Sequence, residues 1–494
     1  MIRLAAFAAA TAVLLATAAP ARADDEKDLA RLLLAATSDF QKRECKMSDW
    51  ERIIAHPRFS ALPSRIRSSS YLIPVLCGVG GKRTPDLIGA ATAEPDASAL
   101  AWSIRFLQSA ATDQRADALQ ALETTAEKSG DQTAEIHNDE LVFDFWRRLK
   151  DDKVARRRMA SALDRLDWQP AGRTFIPDPI WLAQARALLD AGDKAGAERF
   201  LRKLSHPESM VQVRIDRRFE TIVEAQPDAF DVKFAALATL AANQAELQKN
   251  PADAEALQAV AYDLRMLGRF GEALDVLDAG LKAPVLKNSR GDDGRNWVAN
   301  ERAYALADLG RYDEAVKAMS EASGENERGG VNVSQTINLA SVLNEVGRYQ
   351  EALDALAPLS RRKDRVSPYG QMWIAFNRVC AHAGLGQIAQ AKAEMAYVEQ
   401  HAEANRSAHR DAATCIGDEE AIARSLIAQL TSDTPEKALV LFSKSRIETP
   451  PRPPRAKLLA ERLAKAQKRP DVQAAFSAIG RADTFDVYLD AMQF

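Results

Sequence analysis

Strand-forming patterns are almost missing from this 494-residue chain, and aromatic residues make up only 6% of it. That poverty excludes a sheet-built domain. An excess of positive charge is also missing: 66 Lys and Arg face 69 Asp and Glu, for a net charge of −3. Without a basic field to displace counterions from a phosphate backbone, a nucleic-acid partner is excluded. The four cysteines include no C-x-x-C pair, so metal knuckles and dithiol redox motifs are absent. His56, His137, His206, His382, His401 and His409 are scattered and never form H-E-x-x-H. His401 and His409 can share a helix face and read as two surface histidines. Cys380 and His382, two apart on a helix, point in different directions. Neither a P-loop, a G-x-S-x-G elbow nor a dinucleotide fingerprint occurs. No enzyme, metal or cofactor is expected.

After residue 23 no apolar run is long enough to span a bilayer. Before it, Met1-Ile2-Arg3 gives a short positive start and Leu4 to Ala19 is nearly all apolar. Ala21-Arg22-Ala23 supplies a small-x-small cleavage site. Residues 1–23 therefore read as a secretory signal peptide. Their removal takes away Arg3 and Arg22 and leaves a net charge of about −5. The expected product is exported, to the periplasm or as a secreted protein. In an oxidising compartment four cysteines allow three pairings. Sequence proximity favours Cys45 with Cys77 and Cys380 with Cys415.

What the chain does contain is helix-period hydrophobicity. Apolar residues fall at i, i+3, i+4 and i+7 in "WLAQARALL" (181–189), "AVAYDLRML" (259–267) and "TINLASVLNEV" (336–346). An octapeptide recurs as "LGRFGEAL" (267–274), "LGRYDEAV" (309–316) and "VGRYQEAL" (346–353). Each reads as a helix–helix turn, its glycine in the left-handed conformation and its acidic residues at the start of the next helix. The alanine is small because the two helices cross closely there. Turn glycines at Gly192, Gly268, Gly310, Gly347 and Gly386 are followed five residues later by Ala197, Ala273, Ala315, Ala352 and Ala391.

With Trp181, Ala185 and Leu188 before Gly192, and Leu257, Ala261 and Leu264 before Gly268, this pattern resembles the tetratricopeptide repeat. The resemblance covers 178–442. "PEKALVLF" (435–442) is the candidate second helix of a sixth unit, and a degenerate unit is expected around 210–250. The implied fold is all-α: a right-handed superhelical solenoid of helix-turn-helix repeats. Residues 24–177 form a helical N-terminal region of possible diverged repeats, 443–454 a Pro-rich linker, and 455–494 a C-terminal helical cap or docking arm.

The resemblance also implies a concave groove built from the first helix of each unit. Counting back from the turn glycines places Tyr262, Trp297, Asn300, Tyr304, Ile337, Asn338, Ser341, Trp373, Phe376 and Asn377 on that face. Tyr and Trp supply rigid contact area, and Asn bonds a peptide backbone both ways. Glu255 and Ser334 occupy slots where a carboxylate-clamping family member has lysine, so a C-terminal carboxylate is not the expected ligand. The function implied is capture of a protein or peptide segment. The alternatives are an envelope scaffold assembling through its ends, or an enzyme with its site in 24–177. Partner identity and oligomeric state are not encoded in any motif.

Overall fold

The computed structural model describes residues 23–130, 138–171, 175–283, 286, 293–324, 332–360, 366–432 and 434–493. The expected signal peptide up to residue 22, and most of residues 283–296 and 324–332, lie outside the described residues. The chain divides into two compact units, up to Leu201 and from Arg202 onward. That division falls inside the 178–442 stretch, so the Gly192 turn belongs to the first unit and the later ones to the second.

The described part of the first unit is built from helices α1 (Ala23–Lys42), α2 (Met47–Ile54), α3 (Ser64–Leu76), α4 (Thr84–Ala93), α5 (Ala99–Ala111), α6 (Arg115–Ser129), α7 (Asp139–Arg148), α8 (Lys153–Arg165), α9 (Asp178–Asp190) and α10 (Lys194–Leu201). Leu29, Leu33, Trp50, Ile53 and Leu62 form one buried cluster around α1 to α3. Cys45 and Cys77 are bonded beside it. In α9 and α10, Trp181 and Phe200 pack with ring centroids 5.9 Å apart, over buried Ala185 and Ala197.

The second unit continues with α11 (Pro207–Ile215), α12 (Glu220–Ala225) and α13 (Val232–Lys249). Five hairpins follow: α14 (Ala254–Met266) with α15 (Phe270–Lys282), α16 (Asp293–Asp308) with α17 (Tyr312–Ser323), and α18 (Ser334–Glu345) with α19 (Tyr349–Ser360). The last two are α20 (Pro368–Gly384) with α21 (Ile388–Gln400) and α22 (Arg406–Ile416) with α23 (Glu419–Leu430). A short α24 (Glu436–Leu439), strand β1 (Lys444–Ser445), α25 (Pro454–Gln467), α26 (Pro470–Ile479) and strand β2 (Thr484–Phe485) complete it. The described residues are all-α apart from the two short parallel strands, which pair Lys444 with Thr484 and Ser445 with Phe485.

The octapeptide chemistry is now visible. Gly268, Gly310 and Gly347 take φ of +73°, +73° and +82°. The arginine after each donates its N–H to the carbonyl five residues back, at 2.8 Å for Arg269 to Leu264, Arg311 to Leu306 and Arg348 to Leu343. Carbonyls left over at the helix end are thereby satisfied. Each arginine also forks onto the glutamate three residues on: Glu272, Glu314 and Glu351. Ala273, Ala315, Ala352 and Ala391 are fully buried where the helices cross. The sixth turn is Gly417, at φ +77°, joining α22 to α23. Residues 435–442, read as a sixth unit's second helix, give only one short helical turn and a 3₁₀ stretch.

First helices of successive hairpins lie side by side: α14 on α16, α16 on α18, α18 on α20 and α20 on α22. Helices α25 and α26 pack on α23, covering the last hairpin. The Pro-rich stretch before them is not a free spacer. Ile447 lies against Gly268 and Pro450 against Gly310, and from α25 itself Arg462 lies against Gly417 while Arg455 sits 5.9 Å over the Tyr349 ring. The tail then returns to the beginning of the unit. Arg481 N–H donates to the Ile215 carbonyl at 2.9 Å, and Tyr488 N–H to that of Met266 at 2.6 Å. Arg214 pairs with Asp483 at 2.7 Å.

Candidate functional site

The row of first helices carries every side chain expected to face a partner. Their helical spacing aligns Trp297, Asn300, Glu301, Tyr304 and Asp308 along one stripe of α16. Neighbouring stripes approach closely enough to bond. Asn338 Nδ2 on α18 donates to Asn300 Oδ1 at 2.8 Å. Asn377 Nδ2 on α20 donates to Ser341 Oγ at 3.1 Å and to the Trp373 carbonyl at 3.0 Å. Asn344 Nδ2 donates to Asn377 Oδ1 at 3.0 Å.

These bonds decide which of the candidate residues can meet a partner. Asn300 and Asn377 are 1% and 0% exposed, so their amides serve helix–helix register. Tyr304 and Ile337 are buried in the shared core. Tyr262 is partly exposed, its hydroxyl bonded to the Glu208 carboxylate, and burial pushes that hydroxyl's pKa well above the usual tyrosine value. Asn338, Ser341, Trp373 and Phe376 keep partial exposure, and Trp297 is 37% exposed. The reason is geometric. Position relative to the turn fixes which side of a helix a residue occupies, but not how near the next helix lies.

An aromatic ladder runs along α20. Tyr369, Trp373 and Phe376 follow one another at i, i+4 and i+7, which brings their side chains onto one face. Tyr369 and Trp373 meet edge-to-face with centroids 6.3 Å apart, and Trp373 and Phe376 at 5.4 Å. Tyr369 is half exposed. Tyr369, outside the face counted back from the turn glycines, stands one turn before Trp373, and that spacing is the signal that marks it. Ser367 caps the helix by accepting from Gly370 N–H at 3.2 Å. Cys380, bonded to Cys415, staples α20 to α22. Closing a loop of 35 residues contributes about 3–4 kcal/mol by constraining the unfolded chain. The ladder therefore stands on a fixed base.

A second polar assembly on the same row was not legible. Arg265 on α14 is 1% exposed, with Nε 2.6 Å from Asp308 and Nη1 2.9 Å from Glu301 on α16. Its guanidinium lies 5.2 Å from the Tyr304 ring centre. Burial alone would disfavour the charge, but Glu301 and Asp308 outweigh it and hold the guanidinium firmly protonated. Asp263, equally buried, accepts from Asn243 Nδ2 at 2.8 Å and Thr239 Oγ1 at 3.2 Å. Burial outweighs those bonds and lifts its carboxyl to about 6.

Both disulfides pair as proximity suggested, Cys45 with Cys77 and Cys380 with Cys415. His401 stacks on Tyr397 with centroids 4.1 Å apart, while burial lowers the pKa of His409. Among the described residues no three His, Cys, Asp or Glu side chains are grouped to hold a metal ion, and no helix is long and apolar enough to cross a membrane. No protein-family model and no curated protein matches the chain.

Proposed function

We propose that the second unit is a non-enzymatic interaction module of the tetratricopeptide type, whose first-helix row takes up an extended protein or peptide segment. In this reading the hairpins wind as a right-handed superhelix, and the row from α14 to α22 is its inner wall. The observation that carries the reading is the Tyr369–Trp373–Phe376 ladder. Three rings kept accessible on one helix face are a costly surface unless another molecule covers them. Trp297 offers a further anchor on α16. Aromatic side chains of this kind dominate interface energies because they bury large area with few torsions to freeze. Two disulfides support an exported, periplasmic setting, where such bonds persist.

The test is quantitative co-purification from the envelope fraction. Tyr369→Ala and Trp297→Ala together should deplete a specific protein that the unmodified chain retains. Leu458→Ala, exposed on α25, should leave it in place. An identical set of co-purifying proteins in both variants would sink the proposal.

A scaffold reading has its own observation. On α13, Phe234 is 71% and Leu237 45% exposed, one turn apart. If self-association uses that face, Phe234→Asp lowers the sedimentation coefficient while partner capture persists.

A further inference from the structure

Helix α25 carries Arg455 and Arg462 seven residues apart, two turns along one face. Both reach the C-terminal end of α22. Arg462 Nη1 donates to the Thr414 carbonyl at 2.9 Å and to the Cys415 carbonyl at 2.7 Å. Arg455 Nη2 donates to that same Cys415 oxygen at 3.1 Å. Two guanidiniums thus converge on one atom. A helix C-terminus favours a cation, yet it offers only about half a negative charge. The end of α22 is also capped from within, since the Ala413 carbonyl accepts from Gly417 and Asp418 N–H. One arginine would complete that cap.

What the pair lacks is an acid. Arg269, Arg311 and Arg348 at the earlier turns each fork Nε and Nη2 onto a glutamate. The acids that open α23 are committed elsewhere. Asp418 accepts from Ala421 N–H at 2.9 Å, Glu419 pairs with Lys465 at 2.6 Å and Glu420 with Arg469 at 2.8 Å. Among the described residues neither Arg455 nor Arg462 has a carboxylate partner.

The two side chains are nonetheless held in place. Arg462 engages the helix end through Nη1 alone, so its Nε–Nη2 edge, the one the turn arginines use, is open. Its guanidinium lies on Gly417, where a β-carbon would stand 2.9 Å from Cζ. Arg455 rests 5.9 Å over the Tyr349 ring, which itself lies against Gly384. Burial depresses the pKa of Arg455, and the neighbouring charge of Arg462 depresses it further. An anion between the two would relieve both effects.

We propose that Arg455 and Arg462 bind a tetrahedral dianion, a phosphate or a phosphate monoester, on the open edge of Arg462 with Arg455 alongside. Two guanidiniums set against half a charge leave an excess of about 1.5, which a dianion matches better than a carboxylate does. Guanidinium forks also suit phosphate oxygens, taking them in pairs. The surrounding residues stand at hairpin turns. The site is therefore separate from the aromatic ladder, which begins at the opposite end of α20.

Isothermal titration calorimetry of the full chain with inorganic phosphate, at mildly alkaline pH and fixed ionic strength, should show saturable binding at one site. Sulfate should compete and acetate should not. Arg455→Gln should weaken phosphate about tenfold, as loss of one charge-assisted contact requires. Lys457→Gln, which removes the same charge from the exposed side of α25, should change nothing. Circular dichroism melts identify any variant that has unfolded. In that event Arg455→Lys, which keeps the charge without the fork, should still weaken phosphate. Glycerol 3-phosphate and vesicles containing phosphatidic acid both carry the phosphate monoester, and the tighter of the two names its source as a soluble ester or a lipid headgroup. Absence of saturable phosphate binding, or an unchanged affinity in Arg455→Gln, overturns the site. So does equal weakening by Arg455→Gln and Lys457→Gln, which would reduce the effect to net charge. Acetate binding as tightly as phosphate overturns the dianion.

Discussion

A β-carbon built on Gly268 would lie 2.6 Å from Ile447 Cγ2. The turn glycine thus answers two demands at once: a left-handed backbone, and a groove for the returning C-terminal strap. Gly347 has the same φ sign, yet its nearest neighbour, Tyr349, is 3.8 Å away. Alanine at either position meets the left-handed penalty of about 1–2 kcal/mol. At Gly268 it also displaces a stiff, branched side chain, adding about 1–3 kcal/mol. Urea melts should therefore rank Gly268→Ala as the more destabilising, and Ile447→Ala should recover part of the difference in a double-mutant cycle. Equal losses at the two glycines would show that the strap does not bear on the turn.

Arg265 joins α14 to α16 through two carboxylates, and the three groups stand or fall together. Changing Arg265 to Met leaves Glu301 and Asp308 facing each other with side chains only 16% and 5% exposed. Breaking a buried pair from one side costs about 3–5 kcal/mol. The triple variant Arg265→Met, Glu301→Gln, Asp308→Asn removes the charges altogether and should regain most of that loss. Chemical denaturation of the three proteins measures both steps.

How much of this was readable beforehand differs from feature to feature. The turns were, because glycine, arginine, glutamate and alanine act there within six residues of one another, and local chemistry leaves local patterns. Gly417 escaped since its turn uses another cap: Asp418 accepts from Ala421 N–H at 2.9 Å in place of the arginine–glutamate fork. The strap escaped for a different reason. Paired prolines announce extended backbone, but nothing in residues 447–455 names partners at 268, 310 and 349. The same limit applies to Asn300 and Asn377, placed on the correct helix side by counting yet claimed by Asn338, Ser341 and Asn344 on the adjoining helix.

Asp263 makes stability depend on pH in a definite direction. Its carboxyl sits at about 6 in the folded chain against an ordinary 3.8, because burial disfavours the anion. A group raised on folding contributes stability that is fully present below its unfolded value and lost as pH rises through the folded one. Between pH 7.5 and 5.0 this residue should therefore add about 1 kcal/mol as pH falls. Asp263→Asn mimics the protonated acid, with an oxygen still able to accept from Asn243. The variant should be at least as stable as the parent at pH 7.5 and lose this share of the pH slope. An unchanged slope in denaturation curves at the two pH values would place Asp263 outside the titration.

Tyr369 and Asn377 separate binding from folding. They lie eight residues apart on α20, one half exposed and the other fully buried between two helices. Tyr369 contributes mostly surface, so Tyr369→Ala should shift stability by no more than about 0.5 kcal/mol. Asn377 donates to Ser341 and to the Trp373 carbonyl while accepting from Asn344, so its removal strands buried groups on both neighbours. Asn377→Ala should cost about 2–3 kcal/mol. If the ladder is where a partner rests, Tyr369→Ala weakens capture with an unaltered melt. Asn377→Ala should lower the melting temperature, yet bind almost normally once the protein is held well below that temperature. The opposite pairing, with capture insensitive to Tyr369 and abolished by Asn377→Ala in a folded protein, would move recognition from the rings to the amide row.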